Sequence, residues 1–348
     1  MFRIAVVGAT GVAGSEIVQL LEERRFPVGE LIPFASARSV GRLIHFDGQE
    51  IACRELGPGC FEGVDLVLME APAELARQWA PMAVAAGALV VDNSSAYRYD
   101  DQVPLIVPEI NLDQLRPGDR LIASPNCTTL AMVPVLKPLD QAGRLKRVIV
   151  TTYQAVSGTG QAALAELEEQ VREFVERAPE LHHASKTDIS SRKGRSYPHP
   201  IAFNVIPQAD DFTGDAGLTK EENKLIVETR KILGRPDLPI SPFCTRVPVW
   251  VGHSMALICE FERPLTPEDA EAALANAPGV TLWPGLTYPT PLDVAGTDGT
   301  HVGRIHRDPG DPSSLAMWVS GDNLRKGAGL NNVQIAEELV RRGFLVSV

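Results

Sequence analysis

The sequence predicts an α/β protein of two parts, a first domain built on a parallel sheet and a second, α+β domain built on a mixed sheet. Three observations predict it. Over the first half, short apolar runs alternate with helix-like segments, the β-α-β rhythm of strands buried on both faces. From about residue 145 the runs lengthen and alternate apolar with polar residues, between loops rich in Gly, Pro and Asp, as in a more antiparallel sheet. Finally, 348 residues give length enough for two cores.

The elements follow in order. FRIAVV (2–7) reads as a strand, and SEIVQLLEERR (15–25) as a helix. VDLVLM (64–69), ALVVDNSS (88–95) and LIAS (121–124) are further strands, with the helical ELARQWAPMAVAAG between the first two. A helix beginning at Cys127 is expected despite Pro134 and Pro138, with Asn126 as its N-cap. KRVIVTTYQAV and HSMALICEF are the longer strands of the second half. The closing GLNNVQIAEELVRRG is an amphipathic helix, with Val333, Ala336, Leu339 and Val340 on one face.

Charge and composition exclude several functions. A net charge of −11 with no basic patch opposes nucleic acid or an anionic membrane as a partner. The longest uncharged apolar run, APMAVAAGALVV, is too short for a membrane span. The start MFRIAVVGATGVAG superficially resembles a signal peptide, but its glycine spacing has a better explanation. Five cysteines (53, 60, 127, 244 and 259) form no CxxC pair and leave an odd count, which fits reduced thiols in the cytoplasm.

That glycine spacing is GATGVAG, which sets Gly8, Gly11 and Gly14 between a strand and a helix start. Glycines there allow a tight turn and close backbone approach, and the helix N-terminus offers N–H groups to a pyrophosphate. The first domain is therefore expected to be a Rossmann-type dinucleotide-binding domain, with Thr10, Val12 and Ala13 in the same turn. An acid usually follows about 20 residues on, to hold the ribose hydroxyls of NAD. Here FASARSVG offers Ser36, Arg38 and Ser39 instead, a guanidinium and two hydroxyls suited to the 2′-phosphate of NADP.

Cys127, in SPNCTT, would have its thiolate stabilised by the helix dipole. The spacing alone leaves two readings open, a nucleophile and a small buried hydrophobe. Arg246 and His253, in TRVPVWVGHS, lie seven residues apart and would face opposite ways on a regular strand. Pro248 or Gly252 must break the alternation if both line one site. Thr219 and Glu222 fit a capping box, while Glu221 and Lys224 share a helix face. His182, His183 and His199 lack the carboxylate or cysteine spacing of a metal site, so no metal is expected.

Together these segments resemble the aspartate-β-semialdehyde dehydrogenase family. The resemblance runs in order through GATGVAG, SARSVG, VVDNSSAYR, SPNCTT, TYQAVSGTG, YPHPIAFNVIPQ, TKEENK, RVPVWVGHS and GDNLRKGAGLN. It implies an NADP-dependent enzyme that interconverts L-aspartyl-4-phosphate with L-aspartate 4-semialdehyde and phosphate, in the biosynthesis of lysine, threonine and methionine. By motif, Cys127 resembles the acyl-thioester nucleophile, His253 the general acid/base and Gln154 the glutamine that positions substrate. Arg246 matches the arginine that grips the substrate carboxylate, and Glu221 the acid that holds its amino group. Arg98, Asn126 and Lys224 match the phosphate site; Ser157, Gly158 and Asn323 match nicotinamide-side contacts. The resemblance also implies a NADP-binding domain of residues 1–126 with 322–348, and a catalytic and dimerisation domain of residues 127–321. The partner is then a second copy of the chain, as a homodimer or a dimer of dimers.

The chain departs from the family pattern after VDLVLM, where a Ser-Ala-Gly-Gly type loop becomes Glu70-Ala71-Pro72-Ala73, and in Asn-Cys-Thr-Thr for Asn-Cys-Ser-Thr. The first change bears on cofactor affinity. Two rival readings stand beside the enzyme: N-acetylglutamyl-phosphate reductase, whose substrate has no ammonium for Glu221, and a non-catalytic NADP-binding protein, which need not keep Cys127, Gln154, Arg246 and His253 together.

Overall fold

The computed structural model describes residues 1–214 and 217–346. They form two units, one of residues 1–133, 227–236 and 324–346, the other of residues 134–214, 217–226 and 237–323.

In the first unit the strands are β1 (Phe2–Val7), β2 (Val28–Phe34), β3 (Leu43–Phe46), β4 (Gln49–Ala52), β5 (Leu66–Met69), β6 (Leu89–Asp92) and β7 (Leu121–Ala123). Five make a sheet of order β2-β1-β5-β6-β7, every pair parallel. β3 and β4 form a separate antiparallel hairpin. Alternate residues of β1 serve the two faces. Ile4 and Val6 join Ile17, Leu20 and Leu21 of the helix Val12–Glu23 and Val333, Ala336 and Leu339 of the helix Leu330–Arg341. Ala5 and Val7 join Ala76, Ala80 and Ala83 of the helix Ala73–Ala85. The small alanines let that helix lie close to the strands. Each large aliphatic side chain so buried contributes about 1.5–3 kcal/mol, enough to seat the C-terminal helix without help from its caps. The strand order reverses beside β1, so the crevice for a ligand opens at the C-terminal ends of β1 and β5.

The second unit holds β8 (Leu145–Gln154), the short ladder of β9 (Phe212–Thr213) and β10 (Leu218–Thr219), then β11 (Ile240–Arg246), β12 (His253–Phe261), β13 (Val280–Leu282), β14 (Thr300–Arg307) and β15 (Ser314–Gly321). Six form the order β11-β8-β12-β15-β14-β13. β8–β11 and β13–β14 run parallel and the remaining pairs antiparallel, so the sheet is mixed, as the sequence predicts. Val148 and Val150 of β8 and Met255, Leu257 and Cys259 of β12 are buried, the period-2 pattern of a half-covered strand. The helix Gln161–Glu176 buries Ala163, Leu167 and Phe174 against Tyr197, Ile201 and Ile206. Among the described residues, no helix is long and apolar enough to cross a membrane.

Candidate active site

In the first unit the chain leaves β1 through Gly8, whose φ of 84° lies in the left-handed region. A Cβ there would sit 2.0 Å from the Glu70 carbonyl oxygen, and one on Gly14 would sit 2.0 Å from that of Gly8. Only glycine permits both approaches, and they bring the helix Val12–Glu23 up against the turn. Beside it lies a cavity of about 610 Å³, lined by Gly8, Thr10, Gly11, Ser36, Glu70 and Trp79 among others. Its size and the bare backbone at its rim fit a dinucleotide. Val12 and Ala13 open the helix. Arg38 and Ser39 lie in the helical turn Ala37–Ser39, next to the cavity-lining Ser36 and Ala37, and Arg38 is exposed.

Glu70, from the atypical loop, brings a carboxyl onto that wall. Its Oε2 accepts a hydrogen bond from Asn93 Nδ2 at 2.6 Å. Burial pushes the carboxyl up to about 7, against the opposing pull of Asn93 and Arg98, with Asp92 adding to the rise.

The helix Cys127–Gly143 starts at the expected residue and carries Pro134 and Pro138 inside it. The Asn126 carbonyl accepts the Leu130 N–H at 2.8 Å, which starts the helical ladder. The Cys127 thiol is part-exposed and donates to Asn126 Oδ1 at 3.5 Å, while Asn126 Nδ2 donates to Thr128 Oγ1 at 2.9 Å. Arg98 is only 5% exposed. Its Nε donates to Ser124 O at 2.9 Å, its Nη2 to Asn93 O at 2.6 Å and its Nη1 to Glu228 Oε1 at 3.1 Å. Burial works against the Arg98 charge, but Glu228, with smaller contributions from Cys127 and Asp92, outweighs it and holds the guanidinium above its ordinary range.

The second unit gathers the other candidates at one end of three neighbouring strands. Gln154 closes β8, Arg246 closes β11 directly beside it in register, and His253 opens β12. The chain leaves the sheet between Val247 and Gly252, where Gly252 takes φ 99°, so Arg246 and His253 stand on separate strands. That is the break in alternation their spacing requires. The Ala155 peptide ties them further: its N–H donates to His253 Nδ1 at 3.0 Å, and its carbonyl accepts from Arg246 Nη1 at 2.7 Å. A Cβ on Gly158 would lie 3.2 Å from both Arg246 Nη1 and His253 Cε1, so that glycine keeps the space between them open.

Electrostatics set the roles these groups can take. Burial and then Arg246 push His253 down to about 3, with Glu221 opposing, so its ring is neutral near pH 7, and with Nδ1 accepting the Ala155 N–H its Nε2 carries the hydrogen. Gln154 Nε2 donates to Glu221 Oε1 at 2.8 Å, and Lys224 Nζ bonds Glu221 Oε2 at 3.1 Å and Asp210 at 2.9 Å. Burial alone would lower the Lys224 ammonium, but Glu221 and Asp210 overcome it and raise it well above the usual lysine range. Gln154 Oε1 and Arg246 Nε are buried with no hydrogen-bond partner among the described residues. Buried polar atoms are rarely left so, and here they mark where a polar ligand would bond. Ser157 and Asn323 bond each other, with Asn323 Nδ2 donating to Ser157 Oγ at 2.8 Å, and the Gly252 N–H donates to Asn323 Oδ1 at 2.9 Å.

The capping box forms as expected, Thr219 N–H to Glu222 Oε2 at 2.7 Å and Glu222 N–H to Thr219 Oγ1 at 3.3 Å. Among the described residues, no three His, Cys, Asp or Glu side chains gather to hold a metal ion. Sequence reasoning missed Glu228, which lies seven positions beyond Glu221 on the same helix, and the Tyr197 ring, 5.9 Å from the Arg246 guanidinium carbon. Two-turn spacing was the available signal for Glu228; Tyr197 had none.

Residues 3–117 match the model of the semialdehyde dehydrogenase NAD binding domain, and residues 136–326 that of the semialdehyde dehydrogenase dimerisation domain. The chain is 43% identical over 350 residues to the aspartate-semialdehyde dehydrogenase of Aquifex aeolicus, covering 99% of both. It is 46% identical over 346 residues to that of Mycolicibacterium smegmatis, covering 97% of this chain and 99% of the relative. Among solved structures, aspartate semialdehyde dehydrogenase II of Vibrio cholerae, complexed with ASA, superimposes with a TM-score of 0.89 at 38% identity, covering 98% of each chain. Matched over both domains and nearly its whole length, the chain belongs to the aspartate-semialdehyde dehydrogenase family.

Proposed function

We propose that this chain reduces L-aspartyl-4-phosphate to L-aspartate 4-semialdehyde and phosphate, reversibly, through an acyl-thioester on Cys127. The observation that carries the reading is the cluster of Gln154, Glu221, Arg246 and His253 at one sheet end, with Gln154 Oε1 and Arg246 Nε lacking a hydrogen-bond partner among the described residues and a neutral imidazole beside them. Arg246 suits a carboxylate and Glu221 an ammonium, the two charged ends of an amino acid. The ammonium favours this substrate over an N-acylated one.

The Cys127 thiolate attacks the acyl carbon, the carbon–oxygen bond to phosphate breaks, and phosphate leaves with Arg98, Asn126 and Lys224 offsetting its charge. NADPH, when bound, supplies the hydride that reduces the thioester. In the oxidation of the semialdehyde, His253 takes the hydroxyl proton of the hemithioacetal as hydride leaves, its ring giving up the Ala155 N–H or changing tautomer to do so; in the reductive direction the oxyanion left by hydride addition collapses, the carbon–sulfur bond breaks and the Cys127 thiolate is regenerated. The Gly8–Gly14 turn would seat the pyrophosphate, Ser36, Arg38 and Ser39 the adenosine 2′-phosphate, and Ser157, Gly158 and Asn323 the nicotinamide side. The chain would work as a homodimer or a dimer of dimers in the cytoplasm, in the biosynthesis of lysine, threonine and methionine, with no nucleic-acid or membrane partner.

The test is absorbance of NADPH on mixing the protein with aspartate semialdehyde and NADP, with and without phosphate. Phosphate-dependent formation that vanishes in Cys127→Ala is expected; turnover that survives the substitution refutes the thioester route.

A further inference from the structure

One carboxylate beside the nucleophile has no part in that chemistry. Glu228 is fully buried, at 0% exposure, and uses both oxygens. Oε1 accepts from Arg98 Nη1 at 3.1 Å, and Oε2 accepts the backbone N–H of Asn126 at 2.6 Å. Burying a carboxylate is costly and is offset only through good partners, which here are its two bonds. One holds a guanidinium that also donates, among the described residues, to the backbone carbonyls of Asn93 and Ser124. The other holds the peptide immediately before Cys127. The interaction between Arg98 and Cys127 works both ways: a thiolate favours the guanidinium, and the guanidinium favours the thiolate.

We infer that Glu228 is a positioning residue for the nucleophile, fixing Arg98 and the Asn126 peptide beside Cys127 and offsetting the arginine charge that the thiol feels. The inference rests on Cys127 being the nucleophile, but it can be read without turnover. The charges that bear on Arg98 are Glu228, Cys127, Asp92 and Glu70, and Glu228 in turn faces Lys231.

The experiment follows alkylation of Cys127 by iodoacetamide against pH, resolved from the other cysteines by peptide mass spectrometry, in the full-length protein. Glu228→Gln leaves the arginine uncompensated, so the midpoint should fall by about half a pH unit or more, roughly threefold faster alkylation on the acid side. Glu228→Asp, which keeps the charge, should return the midpoint towards wild type. An unchanged or raised midpoint in Glu228→Gln, with only its melting temperature lowered, would show a purely structural ion pair and overturn the inference. Should Glu228→Gln not fold, the cycle is completed with Arg98→Gln and Arg98→Gln/Glu228→Gln, the latter leaving no buried charge unpaired. Arg98→Gln should raise the midpoint and the double variant restore it; a double variant as high as Arg98→Gln alone refutes the offset. Loss of phosphate-dependent turnover in wild type would instead count against the proposed reaction.

Discussion

Glu70 is the departure that follows VDLVLM, and it lines the cavity whose size fits a dinucleotide. With its carboxyl pushed up to about 7, it is largely protonated at pH 6 and largely ionised at pH 8. Asn93 bonds it, Arg98 favours its ionised form and Asp92 its neutral form. If the cofactor phosphates are accepted only beside the neutral carboxyl, the dissociation constant scales as one plus the ratio of ionised to neutral forms. That makes binding about tenfold weaker at pH 8 than at pH 6. The same shift acts on stability. The folded value lies above the ordinary 4.5, so the unfolded chain releases this proton first and stability falls as pH rises from about 4.5 to about 7. Glu70→Gln keeps an acceptor for Asn93 and removes the titration. Fluorescence titration of wild type and Glu70→Gln with NADPH at pH 6 and pH 8 should give a steep pH dependence in the first and a shallow one in the second. Titration of the cofactor's own 2′-phosphate is common to both proteins and cancels in the comparison. Equal slopes would refute the reasoning.

Further outcomes can be checked on wild type and single variants. Because His253 is pushed down to about 3, kcat/KM should show no limb near pH 6.5 from this group, and His253→Ala should lower kcat by about 10²–10⁴-fold, read in steady-state kinetics from pH 5 to 9. The folded histidine resists protonation, so its contribution to stability is lost as pH falls from about 6.5 towards 3. Gly158→Ala would put a methyl 3.2 Å from both Arg246 and His253, so it should raise the KM for semialdehyde and lower kcat while leaving the circular dichroism spectrum unchanged. Arg38→Ala should raise the KM for NADP far more than that for NAD; equal effects would remove Arg38 from the 2′-phosphate site.

Features governed by local pattern were legible in the sequence. Apolar runs such as IAVV (4–7) and LVLM (66–69) marked the parallel strands, because the part of a strand covered on both faces has no polar position to interrupt it. The glycine turn and the helix start at Cys127 were legible because each rests on a few consecutive residues. What the pattern could not carry was pairing over long separations. Glu228 reaches Arg98 across 130 positions, and neither residue differs in sequence from an exposed charge. Arg246 and His253 could be assigned to one end of the sheet only once β11 and β12 were known to flank β8. Glu70 stood out in the sequence as an acid bearing on cofactor affinity, but the state of its proton could not be read there, because burial is what moves it.

The helix Leu330–Arg341 contributes Val333, Ala336 and Leu339 to the same core as Ile4 and Val6 of β1. A ribosome delivers those two parts far apart in time. After residue 133 has been added, some 200 more must follow before the helix exists, about 10–40 s at ordinary elongation rates. Throughout that interval the first-made face of the parallel sheet lacks its last cover, and its exposed aliphatic surface is what a nascent-chain chaperone would meet.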